Sequence, residues 1–105
     1  MKPLVIGDPY SKSYFGITNY LPALHIVEGE CCLFLTKNNK HNLRNSKVPG
    51  GLVYEAKYPC EVVKKDPVPA AFHVFFRNKP VDKYEYLGKS TSIQRHSPTQ
   101  NLLVF

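Results

Sequence analysis

The chain has no tryptophan, one methionine and only eight acidic residues among 105. Lysines and arginines number fourteen, so they exceed the eight acidic residues and give a formal net charge of +6. Such a balance favours an anionic partner, with nucleic acid first and an anionic membrane or an acidic protein as alternatives. The chain also lacks a signal peptide's apolar core and any apolar run of about 18 residues, which a membrane span needs. We therefore expect an intracellular, cytoplasmic protein.

Motifs for catalysis and metal binding are scarce. The three cysteines form no Cys-x-x-Cys pair, and the four histidines show no metal-ligand spacing, so we expect no metal and no cofactor. Glycine-rich phosphate loops and Gly-x-Ser-x-Gly are absent. One nuclease-like match exists, Glu55-Ala-Lys57 with Asp8 as a partner, but so short a match often arises by chance, and a charge pair on an edge strand is the favoured explanation. The sequence predicts a domain that is not itself an enzyme.

Short apolar segments between proline and glycine turns dominate the chain, which holds nine prolines and six glycines. One helix is predicted at residues 20–29, begun by Pro22 and ended by Gly29. Six or seven strands in about 100 residues favour a mostly β fold, a small barrel or half-barrel with at most one or two short helices. In the adjacent pair Cys31 and Cys32, strand geometry predicts one core side chain and one outside it. The predicted strands are residues 3–6, 31–36, 52–56, 61–64, 71–77, 83–87 and 101–105.

The length predicts a single domain over residues 1–105. The chain stops at Phe105 directly after an apolar segment. We expect a recognition domain taken from a longer protein, in which other domains carry the effector activity.

Residues 37–47 form the most basic segment, Lys-Asn-Asn-Lys-His-Asn-Leu-Arg-Asn-Ser-Lys, and contain no acid. Lysine and arginine neutralise phosphates, and asparagine hydrogen-bonds base edges. A solvated loop that keeps a basic protein soluble is the alternative. The candidate nucleic-acid contacts here are Lys37, Asn39, Lys40, His41, Arg44 and Lys47.

Residues 6–20 combine tyrosine with serine, threonine and asparagine. Flat rings beside short hydrogen-bonding side chains suit a pocket for an extruded base or a groove for nucleic acid. The alternative is an aromatic loop that caps one mouth of the barrel. The candidate base-contacting or pocket residues are Asp8, Tyr10, Ser11, Ser13, Tyr14 and Phe15.

A third stretch, residues 77–96, interleaves five basic residues with tyrosine, serine, threonine and glutamine. A hairpin edge followed by a polar loop is its plain interpretation. Its candidate nucleic-acid contacts are Arg77, Lys79, Lys89 and Arg95.

Several short motifs follow one another in a familiar order: Gly7-Asp-x-Tyr-Ser, Gly16-Ile, Leu-Phe-Leu, Tyr84-x-Tyr-Leu-Gly-Lys and Leu-Leu-Val-Phe. The order resembles SRA-like and related PUA-like β-barrels, including the sulfur-recognising domains of some HNH endonucleases. Phe72-His-Val-Phe-Phe-Arg77 followed by Tyr86-Leu-Gly88 also resembles a domain appended to some DEAD-box helicases. The resemblance implies a PUA/SRA-like barrel that recognises duplex DNA, its sequence or a modified base, for a restriction or defence enzyme.

Two other function classes stay open. A barrel that binds single-stranded nucleic acid or RNA would stack bases on tyrosine and phenylalanine of an open sheet face. A protein-interaction module would use its basic face to meet an acidic partner. Competition between duplex and single strand distinguishes the first two classes, and loss of all nucleic-acid binding at low salt favours the third.

Overall fold

The computed structural model describes residues 3–18, 24–37, 45–55, 71–90, 92–97 and 100–105. Within these residues the chain is mostly β, as predicted, and its one helical turn is a 3-10 helix at Lys12–Phe15. The strands, numbered in chain order, are β1 (Pro9–Tyr10), β2 (Leu24–Val27), β3 (Glu30–Thr36), β4 (Ser46–Val48), β5 (Gly51–Glu55), β6 (Phe72–Arg77), β7 (Tyr84–Ser90), β8 (Ser92–Ser97) and β9 (Gln100–Val104).

The first sheet has five strands in the order β1-β7-β6-β3-β2 and curls into a half-barrel. At its centre β3 and β6 run parallel, with Phe34 opposite Phe75, and the other pairs are antiparallel. Both central strands are nearly continuous apolar runs, as strands covered on both faces require. An extra residue, Leu87, interrupts the pairing of β7 with β6 next to Gly88, whose φ is +122°. Such a bulge bends and twists its strand, which suits the curl of the sheet.

The second sheet has four strands in the order β4-β5-β9-β8. Leu52 of β5 and Leu103 of β9 are fully buried and pack in one cluster with residues of the first sheet such as Leu33 and Phe72. Close contact between β5 and β9 requires a glycine, because a Cβ on Gly51 would lie 2.5 Å from the Leu103 carbonyl oxygen. This apolar cluster is the core between the two sheets.

The other face of the first sheet, called the outer face below, carries a second cluster dominated by aromatic rings. Phe34 and Phe75 stack at 4.5 Å between ring centroids, with an interplanar angle of 10°. Leu4, Phe15 and Ile17 from the N-terminal segment pack against the cluster, so residues 3–18 cover part of this face. The buried members of the outer-face cluster are Tyr10, Cys32, Phe34, Phe75, Tyr84 and Tyr86.

Three local predictions are wrong. The segment predicted as a helix over 20–29 contains strand β2, and Glu28 and Gly29 form the two-residue turn to β3. Both turn residues have positive φ, 50° and 79°, as a type I′ hairpin turn requires, so Gly29 closes a hairpin and does not end a helix. Residues 3–6 are not a strand, and the first strand is the short β1. The described residues form nine strands, more than the six or seven predicted, because β2, β4 and β8 lie where the sequence indicates a helix or loops.

The remaining predicted strands match β3, β5, β6, β7 and β9 within a few residues, except for residues 61–64, which lie outside the described part of the chain. The adjacent cysteines lie on opposite faces of β3, as strand alternation predicts, but neither is left outside the packed clusters. Cys32 is fully buried in the outer-face cluster, and Cys31 is half-buried and packs against the core between the two sheets. Among the described residues, no helix is long and apolar enough to cross a membrane.

Candidate nucleic-acid interface

Basic residues gather at one end of the first sheet because of its topology. Since β3 and β6 are parallel, their last residues, Thr36 and Arg77, lie opposite each other. Antiparallel β7 begins at this same end, where Tyr84 pairs with Tyr10 of β1. Chain segments that are distant in sequence therefore turn here together. The cations of these segments, called the basic end below, are Lys12, Lys37, Arg77, Lys79 and Lys83.

The basic segment 37–47 leaves and rejoins the sheet at the basic end. The Lys37 amide donates to the Arg77 carbonyl at 2.8 Å, and the Asn45 amide donates to the Lys37 carbonyl at 3.0 Å. The buried Asn45 side chain also donates through Nδ2 to the Thr36 carbonyl at 2.9 Å. These bonds join the two described ends of the segment, so the chain departs from and returns to a single place.

Two cations of the basic end lie over neighbouring rings of the outer face. The Lys12 Nζ is 5.6 Å from the Phe34 ring centroid, and the Arg77 Cζ is 4.3 Å from the Tyr84 ring centroid. The Phe34 and Tyr84 centroids are themselves 5.1 Å apart. Burial raises the pKa of the Tyr84 phenol, and the Arg77 charge opposes that rise. Tyr84 therefore stays neutral beneath the guanidinium and offers it the face of a ring.

Neutral groups hold the Arg77 guanidinium in place. Nε donates to the Thr36 hydroxyl at 2.9 Å, and Nη1 donates to the carbonyls of Pro80 at 2.7 Å and Asp82 at 3.4 Å. These bonds also close the turn between β6 and β7. Arg77 thus has a structural role in addition to its charge.

Acidic side chains are few at this end. Within residues 10–15, 36–37 and 77–84, Asp82 is the one carboxylate. Lys47, predicted as a contact, pairs instead with Glu85 of β7 at 2.9 Å, so its charge is partly balanced. The exposed lysines 37, 79 and 83 have no such partner among the described ion pairs.

Other predicted contacts lie elsewhere. Lys89 is exposed near the opposite end of the first sheet, where it pairs in register with His73. Arg95 belongs to β8 in the second sheet. The remaining candidates of the basic segment lie outside the described residues: Asn39, Lys40, His41 and Arg44.

The predicted aromatic residues occupy two kinds of position. Tyr10 is 9% exposed, and its hydroxyl accepts a hydrogen bond from the Val5 amide at 2.9 Å. Phe15 is half-buried against Phe34 and Phe75. Tyr14 is 48% exposed and touches Tyr10 and Phe15 by ring edges. Tyr10 thus belongs to the outer-face cluster and Phe15 packs against that cluster, while Tyr14 presents a ring to solvent.

The polar residues of the same segment lie close to Tyr14 in sequence. The Ser11 and Ser13 hydroxyls are 2.8 Å apart and flank Lys12. Asp8 is exposed, and its carbonyl accepts a hydrogen bond from the Tyr86 amide. Lys12, which the sequence prediction missed, therefore stands between two predicted polar residues. A basic residue within a serine and tyrosine segment was the available signal.

The nuclease-like match is divided between the sheets. Glu55 ends β5 of the second sheet, while Asp8 directly precedes β1 of the first. Lys57 lies outside the described residues. Among the described residues, no three histidine, cysteine, aspartate or glutamate side chains cluster in a way that could hold a metal.

A second polar cluster lies at the opposite end of the outer face. His73 is 9% exposed, with Nε2 at 2.9 Å from the Glu30 carboxylate and Nδ1 at 2.8 Å from the Tyr86 hydroxyl. The hydrogen bond from His73 lowers the pKa of the Glu30 carboxyl. Burial raises the pKa of Tyr86, and also raises that of the neighbouring Cys32 thiol to about 12. Neither Tyr86 nor Cys32 is activated as a nucleophile near neutral pH, because both side chains stay protonated.

Comparisons with protein-family models, curated proteins and solved structures found no match to this chain. The resemblance to SRA-like and PUA-like domains therefore stays a prediction. The function is therefore inferred from the structure of the chain itself, a curled sheet with basic residues clustered at one end.

Proposed function

We propose that this domain binds duplex DNA through the basic end of its first sheet. The observation that carries the proposal is the convergence of Lys12, Lys37, Arg77, Lys79 and Lys83. Asp82 is the one carboxylate within residues 10–15, 36–37 and 77–84, and the neighbouring Glu85 is paired with Lys47. Phosphate contacts supply most of the affinity of nucleic-acid-binding proteins, and lysine and arginine make them. The two described ends of the basic segment 37–47 also meet at the basic end, where the Asn45 amide donates to the Lys37 carbonyl.

Duplex binding is favoured over single-strand binding because the aromatic face of the first sheet is covered. Binding by stacking needs exposed rings. Phe34 is 4% exposed, Tyr84 6% and Tyr86 5%, beneath the N-terminal segment and the two cations. Among the described residues at the basic end, Tyr14 is the one tyrosine with an exposed ring. One ring suits contact with a single base better than stacking along a strand.

The finer part of the proposal follows the sequence resemblance. Recognition of a sequence or a modified base belongs to the segment that holds Asp8, Ser11, Ser13 and Tyr14, and the basic end sets the register on the phosphates. The half-barrel is of the PUA/SRA-like kind, and the domain serves a restriction or defence enzyme in which another domain cleaves. The domain itself recognises DNA and does not catalyse.

Fluorescence anisotropy with a labelled duplex oligonucleotide tests the binding proposal through a pair of matched variants. Lys79→Gln removes one positive charge from the basic end, and Lys89→Gln removes the same charge near the opposite end. We expect Lys79→Gln to lower the log-log salt slope by about 0.9, the value for one phosphate contact, and Lys89→Gln to leave it unchanged. Equal effects of the two variants would mean that net charge, and not the basic end, attracts the DNA.

Competition completes this test. Unlabelled duplex should displace the labelled duplex better than single-stranded DNA or RNA of the same sequence. Preference for the single strand would support a single-strand-binding barrel instead. A wild-type domain that binds no nucleic acid at low salt, about 50 mM, would favour a protein-interaction module.

A further inference from the structure

The Arg77 guanidinium combines a fixed position with a charge that no described carboxylate balances. Its hydrogen-bond acceptors are all neutral: the Thr36 hydroxyl and the backbone carbonyls of Pro80 and Asp82. The bond to Asp82 is to the backbone carbonyl and not to the side-chain carboxylate. Among the described residues, Arg77 forms no ion pair and its Nη2 makes no hydrogen bond. Nη2 carries two N–H donors. A half-buried arginine with one nitrogen left over is suited to an anion from outside the chain.

Lys12 adds a second charge on the same face. Strand alternation places Phe34, Thr36, Arg77 and Tyr84 on the outer face, and the Lys12 ammonium approaches that face over the Phe34 ring. Because the Phe34 and Tyr84 centroids are 5.1 Å apart, the two cations lie over adjoining rings. The 3-10 turn fixes the Lys12 backbone, since the Lys12 carbonyl accepts the amides of Gly16 and Ile17.

We propose that Arg77 and Lys12 form a phosphate-binding site at the basic end of the outer face. The Arg77 Nη2 donates to phosphate oxygens, and the Lys12 ammonium supplies the second charge. Thr36 is a positioning residue, because its hydroxyl orients the guanidinium through Nε. This inference rests on the proposed function in one respect, that the phosphate belongs to a DNA backbone. The site itself requires only a phosphate group.

Substitutions that keep the charge separate this site from general basic attraction. Arg77→Lys retains the charge and loses the planar donor set, so duplex affinity should fall about 10-fold or more while the salt slope changes little. Thr36→Val removes the orienting hydroxyl and keeps a β-branched strand residue, so it should lower affinity in the same manner. Thr36→Ser keeps the hydroxyl and is the matched control, with affinity close to wild type.

Two further measurements address folding and the source of the phosphate. Lys12→Gln leaves the turn-closing bonds of Arg77 intact and should lower both affinity and slope, the slope by about 0.9. Thermal melts establish that each variant is folded at the assay temperature. The NMR resonance of the Arg77 Nε–H, recorded with inorganic phosphate or with duplex DNA, reports occupation of the site directly.

The outcomes distinguish this site from the proposed function. Wild-type affinity in folded Arg77→Lys, Thr36→Val and Lys12→Gln would overturn the site and leave DNA binding by the other lysines standing. An Arg77 resonance that shifts with inorganic phosphate, in a domain that binds no duplex, would support the site and overturn the proposed function. A resonance that neither phosphate nor duplex shifts would overturn the site.

Discussion

Tyr10 and Tyr14 are four residues apart in the same segment, yet their exposures predict opposite effects on replacement by alanine. Tyr10 is 9% exposed and has ring contacts to Tyr14, Phe15, Phe75 and Tyr86 at 5.3–6.4 Å between centroids. Tyr10→Ala should lower the free energy of unfolding by about 3–5 kcal/mol, as for other buried aromatic residues. For a domain of this size, that lowers Tm by on the order of 15 °C or more.

Tyr14→Ala should have a small effect on stability and a larger one on binding. The lost ring contacts cost roughly 0.5–1.5 kcal/mol, because the ring is 48% exposed and touches its neighbours by edges. If the ring contacts a base, duplex affinity falls by about 1–3 kcal/mol, roughly 5- to 150-fold.

Thermal melts and anisotropy titrations of both variants, measured well below each Tm, test this pair. Phe15→Leu is the control, because it replaces a half-buried ring in the same 3-10 turn and leaves the exposed Tyr14 ring in place. A Tyr14→Ala domain that binds duplex like the wild type would refute the assignment of Tyr14 to base contact. A Tyr10→Ala domain with wild-type Tm would refute the outer-face cluster as a source of stability.

Three further predictions concern the core and its titratable groups. Gly51→Ala should destabilise the domain strongly in thermal melts, because the new methyl group would lie 2.5 Å from the Leu103 carbonyl oxygen and push β5 from β9; Tm equal to wild type would contradict that close approach. Since His73 lowers the pKa of Glu30 below 4.5, this contact stabilises the fold above that pH and its contribution is lost as pH falls below it. The acid limb of a stability-against-pH curve should therefore be flatter in Glu30→Gln, and an unchanged limb would exclude the contact. Burial raises the pKa of Cys32 from 9.0 to about 12, so its contribution to stability is lost as pH rises through that range. The folded protein should resist alkylation at Cys32 at pH 8, as mass spectrometry can establish, whereas rapid labelling without unfolding would contradict its burial.

The strands that the sequence predicted well are those whose composition alone decides their structure. β3 and β6 are apolar runs of the kind that only burial on both faces allows, and the bounds of each are correct within one residue. The sequence favours a helix where β2 lies because Leu21 and Leu24 have helical i, i+3 spacing between Pro22 and Gly29, which resemble a helix start and a helix end. The turn at Glu28 and Gly29 that fixes β2 as a strand depends on its pairing with β3.

The candidate site was only partly predictable for the same physical reason. Charge identified Lys37, Arg77 and Lys79 in the sequence, but their convergence depends on the parallel pairing of β3 with β6. The local sequence does not indicate which strands will pair when, like β3 and β6, they are about forty residues apart. The place of Lys12 at the same end depends in turn on the pairing of β1 with β7.

An NMR titration can map where duplex DNA lies on the domain. Backbone amide shifts of the ¹⁵N-labelled chain are recorded during titration with a short duplex. We predict that the largest changes fall in residues 11–15, 36–37 and 77–84, with little change at the opposite end, in residues 28–30 and 88–90. Changes centred on that opposite end, or none at any DNA concentration, would contradict DNA binding at the basic end.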